Sequence, residues 1–149
     1  MRQSITLTAL GAALTLLLVP ARAAQAQDQT LYQRLGGYNA IAAVTDDFIG
    51  KLATDPMFSK FFVGHSTDSK SRIRQHVVDQ LCMATGGPCV YTGRDMKAAH
   101  AGLGITGADW DHAVELLVSS LDKFKVPTRE KNEVLAAVSG LKKDIVERM

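Results

Sequence analysis

A histidine on a short predicted helix is the residue of this sequence best suited to metal chemistry. The Gly-Gly-Pro segment at residues 86–88 ends the preceding element, because glycine adopts the left-handed conformation found at helix ends and proline cannot continue a helix. Residues 95–101 favour a new helix, and a Gly-Leu-Gly segment ends it. On that helix His100 lies four residues after Met96, so the two side chains share one face.

The imidazole of His100 has two interpretations on residue pattern alone. A single histidine on the inward face of a short helix is more often a hydrogen-bonded core or surface residue. A neutral imidazole is also the commonest metal ligand in proteins. The local sequence leaves both interpretations open.

A second histidine lies on a longer predicted helix at residues 70–85. Ile73 and Val77 belong to the apolar stripe of this helix, and His76 and Gln80 lie beside the stripe at helical spacing. They are the polar side chains nearest to its apolar face.

Apolar residues at helical spacing recur along most of the chain, and no alternating strand pattern accompanies them. Glycine, proline and capping residues separate the helical segments. The predicted fold class is therefore all-α, with helices at residues 31–35, 38–53, 70–85, 95–101 and 106–124 and a last helix after Pro127.

The first 26 residues have the features of a secretory signal peptide. Arg2 gives a positive start, residues 9–20 are an apolar run, and residues 21–23 or 24–26 offer a small-residue cleavage site. We therefore expect a periplasmic or secreted protein, with a signal peptide at residues 1–26 and one domain at 27–149. The apolar run is shorter than the roughly twenty residues of a membrane span, so a retained anchor is the alternative and no stable span is expected after cleavage.

The chain without its first 26 residues is close to neutral. Their removal takes Arg2 and Arg22 from the 17 basic residues and removes no acid, which leaves 15 basic and 15 acidic residues. No cluster of lysine and arginine remains, so we expect no nucleic-acid partner.

Two cysteines, Cys82 and Cys89, lie on either side of the Gly-Gly-Pro segment. An oxidising compartment would permit a disulfide between them, and two reduced, packed thiols are the alternative. The sequence leaves both states open.

Several spaced motifs resemble the group I truncated haemoglobins. Residues 91–105 read Tyr-Thr-Gly-Arg-Asp-Met-Lys-x-x-His-x-Gly-x-Gly-Ile, directly downstream of the Gly-Gly-Pro segment. A second block of motifs lies upstream of it: Leu-Tyr-x-x-Leu-Gly-Gly at residues 31–37, then Asp47-Phe48, Asp55-Pro56 and Phe61-Phe62. The resemblance covers about residues 30–145, and it implies a truncated globin fold, a two-over-two helical sandwich around haem b (iron protoporphyrin IX).

The resemblance also implies roles for individual residues. His100 matches the proximal ligand of the haem iron, and Phe62 matches a phenylalanine that packs against the haem ring. The remaining residues expected to bind the cofactor are Ile73, Val77, Met96, Ile105 and Trp110, with Tyr91, Arg72 and Lys97 as candidates for the propionates. For Arg72 and Lys97, a solvated surface role is the alternative.

The distal side departs from many relatives. Many members carry a tyrosine directly after the phenylalanine matched by Phe48, and a glutamine on the distal helix, whereas Ile49 stands at the tyrosine position here. His76 and Gln80 provide the nearest polarity. Either His76 binds the iron as a second axial ligand, or the pocket stays apolar and favours carbon monoxide and nitric oxide over tightly held oxygen.

Three classes of function follow from the resemblance and its departures. The first is reversible binding of oxygen, nitric oxide or carbon monoxide at the haem iron. The second is redox chemistry, either nitric oxide dioxygenation with a separate reductase or electron transfer by a bis-histidyl haem. The third is a haem-free helical interaction module. We favour gas binding, because a fold resemblance identifies a cofactor more securely than a reaction.

Overall fold

Seven α-helices and one short 3-10 helix form the secondary structure of the part of the chain that the computed structural model describes, residues 29–148. The all-α prediction is confirmed, and the predicted signal peptide lies outside the described residues. Within residues 29–148 no helix is long and apolar enough to cross a membrane. The elements are α1 (Leu31–Arg34), α2 (Tyr38–Thr54), the 3-10 helix (Ser59–Phe61), α3 (Thr67–Ala84), α4 (Met96–His100), α5 (Gly107–Lys123), α6 (Thr128–Ser139) and α7 (Lys142–Ile145).

Side-chain caps explain where several helices begin. Helix α3 begins three residues earlier than the apolar pattern predicts, because the Ser66 side chain accepts a hydrogen bond from the amide of Ser69 at 3.2 Å. Asp95 caps α4 in the same way, through the amide of Ala98 at 2.8 Å. Hydrogen bonds to side chains thus satisfy amides that have no partner within the first turn of a helix.

The last predicted helix is two helices in the structure. Helix α6 ends at Ser139, and α7 begins at Lys142 after a turn in which the amide of Leu141 bonds to the carbonyl of Val138 at 2.9 Å. The glycine at position 140 weakens the helix at this point. The continuous apolar spacing concealed the break, since it is preserved across the turn.

Helix α2 lies at the centre of the packing and contacts both α3 and α5, while α5 also contacts α6. The buried core accordingly has two parts. Ile41 and Ala42 pack with Val78 and Cys82 of α3. On the other side, the second cluster consists of Val44, Leu117, Leu121 and Val134.

A cluster of ion pairs around Asp47, whose side chain is mostly buried, joins α2 to α5. The Asp47 carboxylate accepts hydrogen bonds from Lys123, from Ser120 Oγ at 2.7 Å and from Lys51 Nζ at 2.8 Å. These donors, with Lys123 first, hold the pKa of Asp47 well below its ordinary value. Because the folded-state pKa is depressed, the stabilisation is present at neutral pH and is lost as the pH falls through that pKa.

A disulfide joins the end of α3 to the following loop. Cys82 and Cys89 have α-carbons 5.8 Å apart and are bonded in the structure. Closing so short a loop stabilises a fold by about 2–3 kcal/mol in the chain-entropy treatment. Gly87 lies inside this ring, where a Cβ would come within 2.8 Å of the Cys82 carbonyl oxygen, so only glycine fits without displacing backbone.

Candidate functional site

A cavity of about 700 Å³ occupies the space between the helices. Every described helix except α1 contributes to its wall, and most lining side chains are aliphatic or aromatic. The volume is that of a small-molecule or cofactor site.

Most residues predicted from the sequence to form the site line this one cavity. Lys97 does not: it is exposed, because one step along α4 turns it about 100° around the helix from Met96. Cys82 and Cys89 lie behind the wall, with Cys82 in the core cluster of α2 and α3. The predicted residues that line the cavity are Phe48, Ile49, Phe62, Arg72, Ile73, His76, Val77, Gln80, Tyr91, Met96, His100, Ile105 and Trp110.

His100 is held in a defined tautomer at the end of α4. Its Nδ1 lies 2.8 Å from the carbonyl oxygen of Met96. Because a carbonyl only accepts, Nδ1 carries a proton, and a neutral imidazole in this tautomer has its lone pair on Nε2. Metal-binding histidines are commonly oriented in this way by a backbone carbonyl. The tautomer is therefore the one in which Nε2 can bind iron, and the ligand role of His100 stays a prediction.

His76 presents an unsatisfied polar atom next to the cavity. Its Nδ1 is buried and has no hydrogen-bond partner among residues 29–148. The ring of Tyr91 meets the imidazole edge-on, with centroids 5.8 Å apart at 69°. The Tyr91 hydroxyl donates to the carbonyl of Arg94 at 2.6 Å, and burial raises the Tyr91 pKa. A buried polar atom without a partner calls for a ligand or water.

Two arginines at the exposed edge of the cavity lack carboxylate partners. Among residues 29–148, neither Arg72 nor Arg94 forms an ion pair, and both line the cavity. Guanidinium groups in such a place suit an anionic group on the occupant. Arg94 was not singled out from the sequence, although it lies in the same motif as His100, directly before the Asp95 cap.

The buried carboxylate at the cavity wall is already satisfied. Asp109 accepts hydrogen bonds from the backbone amide of Thr106 at 2.8 Å and from its hydroxyl at 2.7 Å. These bonds, the backbone one first, lower the pKa of Asp109. The carboxylate thus caps α5 and is not poised for acid-base chemistry. The cavity suits an apolar ring system with axial nitrogen ligands better than a hydrolytic reaction.

Sequence comparison decides the family. Residues 30–147 match the family described as bacterial-like globin. The chain is similar to a group 1 truncated haemoglobin of Mycolicibacterium paratuberculosis, with 32% identity over 84% of this chain and 90% of the relative. A group 1 truncated haemoglobin of Tetrahymena pyriformis is also 32% identical, over 79% of this chain and 95% of the relative.

This chain belongs to the group I truncated haemoglobins. The fold agrees: the ferric Tetrahymena pyriformis truncated haemoglobin superposes with a TM-score of 0.73 at 31% identity, over 79% of this chain and 98% of the other. A 2/2 haemoglobin of Synechococcus, solved in the cyanomet state with covalently attached haem, superposes with a TM-score of 0.72 at 30% identity, over 80% of this chain and 100% of the other. Membership of the family makes this truncated haemoglobin a haem-binding protein.

The cavity of this truncated haemoglobin fits the cofactor that its family implies. Most of the wall is apolar, His100 in its neutral form would offer Nε2, and the guanidinium groups of Arg72 and Arg94, which have no carboxylate partner among residues 29–148, would suit the propionates. Sequence reasoning missed further lining residues: His65 and Leu103 at the exposed edge, and Val138, Leu141 and Ile145 beyond α5. The apolar spacing of Val138, Leu141 and Ile145 predicts burial but does not distinguish a cavity wall from a packed core.

One wall of the cavity is supported from outside by a histidine that lies between two carboxylates. The buried ring of Phe58 lines the cavity and stacks on His112, with centroids 5.6 Å apart and planes at 10°. His112 Nε2 lies 2.9 Å from Asp55 and Nδ1 lies 3.3 Å from Glu115. These carboxylates, Asp55 first, raise the pKa of His112, and His112 in turn lowers the pKa of Asp55.

Replacing His112 with Gln should reduce stability more in weak acid than in base. The folded-state pKa of His112 exceeds its ordinary 6.5, so its stabilisation is complete below 6.5 and is lost as the pH rises through the folded value. Urea unfolding at about pH 5.5 and about pH 9 measures the difference in free energy of unfolding between wild type and His112→Gln at each pH. His65→Gln is the control, and an equal loss at both pH values would contradict the ion-pair explanation.

Proposed function

We propose that this protein binds haem b in the 700 Å³ cavity, with His100 as proximal ligand, and reversibly binds a diatomic gas on the opposite side. Haem supplies an iron that accepts oxygen, nitric oxide or carbon monoxide as a ligand. The observation that carries the proposal is the His100 imidazole, which lines a largely apolar cavity, with Nδ1 donating to the carbonyl of Met96 and Nε2 without a hydrogen-bond partner among residues 29–148. The protein supplies binding, orientation and exclusion of water around the cofactor.

The side chains around the ligand side favour carbon monoxide and nitric oxide. Ile49, Ile73 and Val77 line the cavity and donate no hydrogen bond from their side chains. Gln80 and His76 are polar side chains that line the cavity from the same helix as Ile73 and Val77. Without a strong donor the site would hold oxygen loosely. Nitric oxide dioxygenation would further require a separate reductase, so consumption over many turnovers with and without one distinguishes catalysis from binding.

His76 supports a second candidate state, a bis-histidyl haem. Its buried Nδ1 lacks a partner among the described residues, and its ring lines the same cavity as His100. Occupation of both axial positions by protein would make external gases compete with His76. It would also suit electron transfer, because the coordination then stays constant on reduction.

Replacing His100 with Ala should remove the axial nitrogen and release haem. Second-shell partners alone are worth about 10–100-fold in metal affinity, so loss of the ligand should raise haem dissociation at least about tenfold. Ferric, ferrous and carbonmonoxy absorption spectra of wild type should contain a Soret band, and pyridine haemochrome should identify haem b. Added imidazole should restore the ferrous spectrum of His100→Ala, and His65→Ala is the control. An unchanged ferrous spectrum and unchanged haem retention in His100→Ala would contradict the assignment.

Replacing His76 with Ala should speed carbon monoxide binding if His76 occupies the iron. The wild type should then be low-spin in the unliganded ferrous state, and the variant should be high-spin. His65→Ala, which also removes a cavity-lining imidazole, should behave like wild type. A wild type that is already high-spin at neutral pH, with carbon monoxide rates unaffected by the substitution, rules out endogenous ligation and leaves the apolar pocket.

We further propose that the protein is exported and that its disulfide forms after export. The signal-like features of residues 1–26 and the Cys82–Cys89 bond are mutually consistent, since disulfides persist in oxidising compartments. Intact-mass analysis of periplasmic protein should give a chain that begins after Ala23 or Ala26 and is lighter than its reduced form by two hydrogens. Recovery of the full-length chain from the cytosol would refute export. A mass equal to that of the form with two free thiols would refute the disulfide.

A further inference from the structure

Residues 146–148 run along the turn that follows His100. The amides of Glu147 and Arg148 both donate to the carbonyl of Ile105, at 2.9 and 3.2 Å. The amide of Gly107 donates back to the carbonyl of Arg148 at 3.1 Å. Helix α7 also contacts α4, which carries His100. A segment more than forty residues away in sequence therefore lies against the turn after the proposed iron ligand.

The Glu147 carboxylate binds two backbone amides of this turn. One of its oxygens accepts from the amide of Gly102 at 2.6 Å, and the other accepts from the amide of Gly104 at 2.5 Å. Both glycines have positive φ, +81° and +66°. Amides arranged by left-handed backbone form a concave site for an anion, and here the anion is a side chain of the same protein. The two amides, that of Gly102 first, lower the pKa of Glu147 and keep it ionised.

Leu103 links the Glu147 contact to His100. Leu103 lies between the two glycines, and its amide donates to the carbonyl of His100 at 3.2 Å. Helix α4 has five residues, too few for a helix to be stable alone. Asp95 fixes its beginning, but its last residue is followed at once by extended backbone at Ala101. The orientation of the His100 backbone therefore depends on what holds the turn.

We propose that Glu147 is a positioning residue that fixes the axial imidazole of His100 by holding the Gly102–Gly104 turn. The inference rests on the proposed function, since it needs His100 to bind the iron. Glu147 touches neither the iron nor any gas ligand. It acts through Leu103 and the His100 carbonyl, at the opposite end of α4 from the Asp95 cap.

The test replaces Glu147 with Gln, which keeps the length of the side chain but not its charge or its second acceptor oxygen. The readout is the iron–histidine stretching band in resonance Raman spectra of the ferrous protein, recorded in a His76→Ala background so that the opposite axial position is open. In Glu147→Gln the band should shift or broaden, and haem loss should accelerate by roughly tenfold. Glu147→Asp keeps the charge, so its band and its rate of haem loss should lie closer to those of the protein with Glu147.

Asp144→Asn is the matched control. Asp144 is a half-buried carboxylate three residues earlier, and no hydrogen bond or ion pair of its side chain occurs among the described residues. It should leave the band and the rate of haem loss unchanged. A Glu147→Gln variant that lowers the melting temperature, but whose band and haem loss match those of Asp144→Asn, overturns the proposal, because Glu147 would then only stabilise the fold.

Hydrogen exchange on the wild-type holoprotein tests the contact even if Glu147→Gln fails to fold. The amides of Gly102 and Gly104 should be protected, and exchange at the rate of an unstructured peptide overturns the proposal. Failure of the proposed function is recognised separately. The His76→Ala protein would then lack an iron–histidine band before any change at Glu147, whereas protected Gly102 and Gly104 amides would still report the contact.

Discussion

The central constraint on this structure is a cavity of about 700 Å³ in the middle of some 120 described residues. The two apolar clusters lie beside the cavity and do not fill it. Leu117 belongs both to one of these clusters and to the cavity wall. The protein interior is therefore complete only when the cavity is filled, because close packing otherwise ends at its walls. Haem binding and stability of the fold are linked by this shared boundary.

Polar contacts reinforce the helices where the cavity limits apolar packing. Asp47 joins α2 to α5, and the nearly buried Arg34 joins α1 to α6 through Glu130 at 3.0 Å. Asp55 and His112 brace the Phe58 wall, and the disulfide closes the end of α3. Each lies outside the cavity, so the apolar lining is preserved while the frame is fixed.

Local chemistry made much of the fold predictable. The Gly-Gly-Pro segment, the other glycines and prolines between helices and the apolar spacing predict the helices within a few residues, since these signals act over one or two turns. The turn between α6 and α7 was missed, because Val138 and Leu141 keep helical spacing across it. The site was predictable where a motif carried it, whereas the Glu147 contact to Gly102 and Gly104 was not, because it depends on tertiary placement across more than forty residues.

Two glycines described above are required for different reasons. At position 102 no atom of residues 29–148 lies within 4 Å of an added Cβ, yet φ is +81°. The left-handed backbone alone therefore disfavours most L-residues there, at a cost of roughly 1–2 kcal/mol. At position 87 the obstacle is the Cys82 carbonyl, so space alone excludes them. An alanine at position 102 would therefore strain the backbone of the turn beside His100 without touching a neighbour, whereas an alanine at position 87 would displace backbone at the end of α3. The first change acts on the loop that follows His100, and the second acts on the ring closed by the disulfide.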